Sequence, residues 1–177
     1  MYLINLITLM IMPLQMTLFD FTETADISGW EIVDDVVMGG RSNGAFYLSP
    51  EGKGVFSGKV SLENNGGFSS VRYDLNSLNL EAFDTFLLKV KGDRKRYQFR
   101  VKTGKYDRQS YISYFETNGE WQEIALPMHE MVPTFRGMRL NMENYPGKKL
   151  EQVSFLIGNN RPEEFILKID EIAVTRK

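Results

Sequence analysis

The chain contains no cysteine and only one histidine, His129. Disulfides, thiolate metal centres, thiol catalysis and multi-histidine metal sites are therefore excluded. Charge of one sign is also missing. The 21 basic and 23 acidic residues leave a net charge of −2, so no global field draws the chain to nucleic acid. No apolar run reaches the ~20 residues of a membrane-spanning helix. G-x-S-x-G, H-E-x-x-H and EF-hand patterns are absent, and the Asp34-Asp35 and Glu163-Glu164 pairs are adjacent. Neighbours on a strand point to opposite faces, so neither pair is an acid/base dyad as it stands. A Ser-His-Asp triad would need His129, which sits in a loop-like Pro127–Met131 stretch and reads as a surface residue.

What is present suits one soluble domain: 177 residues, 42% hydrophobic and 25% charged, enough chain to bury a core without cross-links. Met1 to Leu14 is apolar apart from Asn5 and Thr8. Leu3–Met12 has the length of a signal-peptide core. No Lys or Arg precedes it, and Leu14-Gln15-Met16 is a poor cleavage site. Lack of arginine argues against a mitochondrial presequence. Residues 1–16 are read as an apolar extension or weak export signal, with a start at Met12 or Met16, or an arm packed on the domain, as further readings. Residues 17–177 are read as a single β-sandwich domain. The expected compartment is cytoplasmic, or outside the cell if residues 1–16 act as a signal.

From Leu18 onward the pattern is β. Gly, Asn, Asp, Ser and Pro clusters punctuate short aromatic and β-branched runs, the spacing of a sandwich or barrel. Tyr97, Phe99 and Val101 alternate with Gln98, Arg100 and Lys102. Phe86–Lys91 and Ser70–Leu75 alternate in the same way. Further strands are expected at Leu18–Phe21, Trp30–Val33, Ala45–Leu48, Gly54–Leu62, Ser110–Glu116, Trp121–Leu126, Gln152–Ile157 and Phe165–Val174. In the last, Phe165, Leu167 and Ile169 share one phase and Ile172 and Val174 the other, so a bulge near Asp170-Glu171 is predicted. Helical turns are expected only near Asn79–Phe83 and Met128–Met131. The fold class is all-β, a single antiparallel sandwich.

Two glycine-rich stretches stand out. Asp34–Gly44 contains Asp35, Met38, Gly39, Gly40, Arg41 and Ser42. It reads as a tight connection between strands, with a ligand or partner contact as the alternative. Asn64-Asn65-Gly66-Gly67 lies between two strand candidates and reads as a hairpin turn. Residues 89–108 hold nine Lys/Arg against two Asp, a local charge of +7. This is either solvated strand faces or a positive patch for an acidic partner. Tyr97, Tyr106, Tyr111, Tyr114, Phe115 and Trp121 gather in the same half. They are core aromatics or, in part, a sugar-stacking platform.

Taken in order, Phe19-Asp20-Phe21, Asp35–Ser42, Phe56-Ser57-Gly58, Gly66–Arg72, Leu88–Asp93, Tyr114-Phe115, Trp121-Gln122-Glu123, Phe135-Arg136-Gly137 and Ile169–Ile172 resemble the complex I intermediate-associated protein 30 family. The resemblance covers residues 18 to 174. Its most specific parts are the Met-Gly-Gly-Arg-Ser and Gly-Gly-Phe-Ser-Ser elements. The chain departs from the family at Gly92-Asp93-Arg94-Lys95, where Gly-Asp-Gly-Arg is usual, and at Pro127-Met128, where Pro-Phe is usual. The resemblance implies a galactose-binding-like jelly roll in a non-enzymatic role; no catalytic residue, metal ligand or cofactor is expected. It further implies a protein-binding, assembly-factor or chaperone-like role for respiratory complex I. A carbohydrate-binding module of the same fold is the alternative. Nucleic acid and a transmembrane span are not expected. From strand phase, Arg72, Gln98 and Arg100 face outward. With Tyr114 they form the expected contact surface for a protein partner or a glycan.

Overall fold

Alternation of large apolar with polar residues buries one face of each strand and leaves the other wet. Two such sheets, packed by their apolar faces, form the molecule. The computed structural model describes residues 14–176. Its strands are β1 (Gln15–Asp20), β2 (Trp30–Asp34), β3 (Asn43–Leu48), β4 (Gly54–Val60), β5 (Ser69–Asn79), β6 (Thr85–Lys91), β7 (Arg96–Lys102), β8 (Ser110–Glu116), β9 (Trp121–Pro127), β10 (Val132–Phe135), β11 (Met138–Arg139), β12 (Lys149–Ile157) and β13 (Glu163–Thr175). One sheet runs β3-β4-β13-β6-β9, with β1 also on β13; the other runs β11-β10-β8-β7-β12-β5-β2. All pairings are antiparallel, and the whole is a jelly-roll sandwich. Among the described residues, no helix is long and apolar enough to cross a membrane.

The core follows the predicted phases. Tyr97, Phe99 and Val101 of β7 are buried against Phe86, Leu88 and Val90 of β6 and Val153 and Phe155 of β12. At one end Trp30 stacks on Phe46 and Tyr73 at about 5 Å and meets Phe19 and Phe21. The predicted bulge is present: β13 shifts register against β6 between Ile169 and Glu171. Asp170, the extra residue, folds its carboxylate between Lys53 and Lys89.

Four expectations change. Asn79–Phe83 is not helical: β5 runs through Asn79, and a turn closes from the Leu80 carbonyl to the Phe83 N–H. β10 and β11 were not expected, because Pro133 interrupts an already short apolar run. Gln15 and Met16, assigned to the extension, pair in β1 with Thr175 and Val174; residues 1–13 lie outside the described residues. Asn64–Gly67 is not a hairpin, since β4 and β5 belong to different sheets. It is a crossover built on a 3-10 turn at Glu63–Asn65, with Asn64 and Asn65 in the left-handed region. The Asn-Gly signal reported a change of chain direction without specifying a partner strand.

Candidate binding groove

The outward face of the seven-stranded sheet is a trough, and its shape follows from residue size along three rows. Ser154 of β12 lies opposite both Arg72 of β5 and Arg100 of β7. Leu156 lies opposite Ser70 and Gln98, and Gln98 opposite Tyr114 of β8. Gln152 lies opposite Asp74 and Lys102. Short side chains form part of its floor: Ser70, Ser110 and Ser154 are nearly buried. Longer side chains, among them Arg72, Gln98, Arg100 and Tyr114, stand around them and deepen the trough. The cavity is about 470 Å³ and is closed at one end by Asn65–Phe68 and Gly158.

The structure therefore brings Arg72, Gln98, Arg100 and Tyr114 onto one face of one sheet. Tyr114 is half exposed, while Tyr111 and Phe115, in the opposite phase, are in the core. Arg100 donates from Nη1 to Gln98 Oε1 at 3.1 Å, and Gln98 Nε2 donates to the Tyr114 hydroxyl at 3.5 Å. The Arg96 guanidinium lies 4.7 Å from the Tyr114 ring centre. Arg72 donates from Nε and Nη2 to Glu31 at 3.1 and 2.8 Å. Asp74 accepts from Gln152 Nε2 at 2.7 Å. Burial lowers the pKa of Arg100, against the opposing pull of Tyr114. Burial, and then the charges of Arg100 and Arg72, lower that of Lys102.

The Asp35–Ser42 loop does not line the trough; it holds the trough's end wall. After β2 the chain makes a 3-10 turn at Asp35–Met38, ended by Gly39 in the left-handed conformation at φ 91°. Asp35 is fully buried. Its carboxylate accepts from the Ser42 N–H (3.0 Å), the Ser42 hydroxyl, the Gly67 N–H (2.6 Å) and the Phe68 N–H (3.2 Å). The two glycine-rich elements are thus tied together through one side chain. Gly40 passes so close to Asp35 that any Cβ there would overlap it. Burial opposes ionisation of Asp35, and its hydrogen bonds from Ser42, Gly67 and Phe68 outweigh that, so its pKa lies below the ordinary 3.8. Arg41 is exposed and pairs with Glu63 at 2.7 Å. The Met38 side chain lies outside the described residues.

The +7 segment does not form one patch. Lys89 and Lys91 belong to the six-stranded sheet, and Arg96, Arg100 and Lys102 to the seven-stranded one. The aromatic cluster divides too. Tyr97, Tyr111 and Phe115 are internal, Tyr106 is on a loop, and Trp121 is in the other sheet. Asp93, in the segment where the chain departs from Gly-Asp-Gly-Arg, is structural. It accepts from the Tyr97 hydroxyl, Lys95 Nζ and the Ile166 N–H at 2.8, 2.6 and 3.1 Å. Gln152, Ser154 and Leu156 were missed as groove residues; the outward phase of β12 was the available signal.

A family model, complex I intermediate-associated protein 30, matches residues 19–169. The chain belongs to this family. The match includes both glycine-rich elements and the Asp35 node that joins them. Among solved structures, the chain is similar to the family 11 carbohydrate-binding module of the cellulosomal cellulase Lic26A-Cel5E of Clostridium thermocellum. That match has 14% identity, covers 92% of this chain and 95% of that one, and has a TM-score of 0.66. The Clostridium thermocellum family 11 module in complex with a β-1,3-1,4-mixed-linked tetrasaccharide gives 13% identity, 92% and 95% coverage, and a TM-score of 0.65. The agarase AgWH50C gives 11% identity and a TM-score of 0.62, over 92% of this chain but only 24% of the enzyme. At these identities the likeness establishes the galactose-binding-like fold and leaves ligand and activity open. No curated protein matches.

Proposed function

We propose that this member of the family is a non-catalytic protein-binding module, an assembly factor that holds a segment of an incompletely assembled respiratory complex I subunit in its trough. The observation that supports this most is the gathering of Arg72, Gln98, Arg100 and Tyr114 on one sunken sheet face. Guanidinium and amide groups pair with carboxylates and peptide groups, and a half-exposed tyrosine adds an amphipathic contact. A cytoplasmic location accords with this reading.

The test is site-specific crosslinking in the native host, with a photo-reactive phenylalanine analogue at Tyr114 or at Trp121, which lies on the other sheet. Crosslinks from position 114 to a defined complex I subunit, absent from position 121, are expected. Equal labelling from both positions, or none to protein, would refute the groove as the protein contact. The second reading, a carbohydrate-binding module, is favoured by the exposed Tyr114 ring, because aromatic faces stack on pyranose rings. It goes with export and would be established by saturable oligosaccharide binding lost in Tyr114→Ala.

A further inference from the structure

The trough carries positive charge that the protein neutralises only in part: Glu31 pairs with Arg72, and Asp107 and Asp74 act on Lys102 from beyond ion-pair distance. Its bordering carboxylates are engaged: Glu31 with Arg72, and Asp74 with Gln152. Asp107, near Lys102, accepts from the Gly104 N–H through its carboxylate at 2.8 Å. Among the described residues, Arg100 has only the neutral Gln98 amide as a side-chain hydrogen-bond partner. Lys102 donates to the backbone carbonyl of Asp107 at 2.8 Å. Among the described residues neither cation has a carboxylate within ion-pair distance. Both are held where burial disfavours their charge. Between Arg72 and Arg100 sits Ser154, whose hydroxyl makes no hydrogen bond among the described residues and keeps contact with solvent. Partly desolvated cations without a carboxylate partner are costly, and that cost is relieved when an anion pairs with them, with the Ser154 hydroxyl free to donate beside them.

Building on the protein-binding reading above, we propose that the bound segment is acidic. An Asp or Glu side chain seats its carboxylate on Arg100 and Ser154, with Lys102 beside it. The planar guanidinium fork and the hydroxyl offer converging donors for two carboxylate oxygens. From β5 across β12 and β7 to β8 the trough spans three strand spacings, about 14 Å, the reach of about four extended residues. Leu156 and Ile112 supply apolar patches for flanking side chains. Peptide therefore fits better than a lone small anion, which would leave those patches uncovered.

The probe is a displayed library of random short peptides, selected on the full chain. Enriched sequences are made with amidated C-termini, so that no terminal carboxylate contributes, and titrated calorimetrically. An acidic residue shared by the binders is expected, and its change to the amide should weaken binding about tenfold or more. With Arg100→Met that same change should matter less than about twofold, while Lys59→Met on the other sheet preserves the full effect. If Arg100→Met does not fold, Arg100→Lys and Lys102→Met complete the cycle. Binders without acidic residues that still compete with the Tyr114 crosslink would overturn the acidic preference and leave the protein-binding reading intact. Failure of all peptides, with Arg100-dependent binding of oligogalacturonate, would overturn both.

Discussion

Replacing Asp35 by alanine removes the one acceptor shared by the two glycine-rich elements. The Ser42 N–H, in a site that water does not reach, loses its partner, at about 1–3 kcal/mol. The Gly67 and Phe68 N–H groups are half-buried and partly rehydrate, adding about 1 kcal/mol together. The Ser42 hydroxyl keeps Ser61 within reach and adds little. The expected destabilisation is about 3 kcal/mol, which in a chain of this size lowers Tm by about 10 °C. Asp35→Asn should lose about half as much, because its carbonyl oxygen still serves some donors while its NH2 opposes the others. Arg41→Ala, six residues along in the same motif, removes only an exposed ion pair and should stay within about 0.5 kcal/mol. Urea unfolding followed by circular dichroism measures all three, with the m-value unchanged. A drop of less than about 3 °C for Asp35→Ala, or an equal loss for Arg41→Ala, would show that Asp35 does not hold these segments.

Acid should unfold the protein through the same chemistry. Asp35 and Asp170 both have folded pKa values below the ordinary 3.8, Asp170 because Lys53 and Lys89 outweigh its burial. Their contribution is complete above that value and is lost as pH falls through the folded pKa values. The Tm gap between wild type and Asp170→Asn should hold steady from about pH 7 to pH 5 and shrink below about pH 4; a gap that widens in acid would contradict the assignment. Arg100→Met should raise Tm by about 2 °C, since an unmatched, partly desolvated charge leaves the empty trough, while weakening capture of acidic peptide; a lowered Tm would show that Arg100 is structurally required. Tyr97→Phe deletes the hydroxyl bonded to Asp93 and should cost about 1 kcal/mol by thermal melt; no change would mean Lys95 and Ile166 suffice. Burial beside Asp93 holds the Tyr97 hydroxyl far above its ordinary pKa of 10.0, so a tyrosinate signal from this residue at pH 11 would show that the pocket is open.

Period-two alternation is a local property, and it was sufficient for the strands. Side-chain direction in an extended chain is set residue by residue, so the outward phase of Arg72, Gln98 and Arg100 and the bulge at Asp170 were legible without coordinates. Which strands become neighbours was not legible. β12 inserts between β5 and β7, some fifty to eighty residues earlier in the chain, and only that insertion puts Arg72 and Arg100 on either side of Ser154. The same non-local pairing divided the basic run between two sheets and sent Tyr106 and Trp121 away from Tyr114. It also turned the Asn64–Gly67 hairpin signal into a crossover. Asp35 shows the limit most clearly. Composition marked its loop as a turn, but its three backbone donors come from two segments separated in sequence and joined only when β4 crosses to β5. Sequence alone determined which faces are wet and which are dry, because that depends on one strand at a time. The trough, its unpaired cations and the buried carboxylate that holds its end wall depend on contacts between distant strands, and tertiary structure decided them.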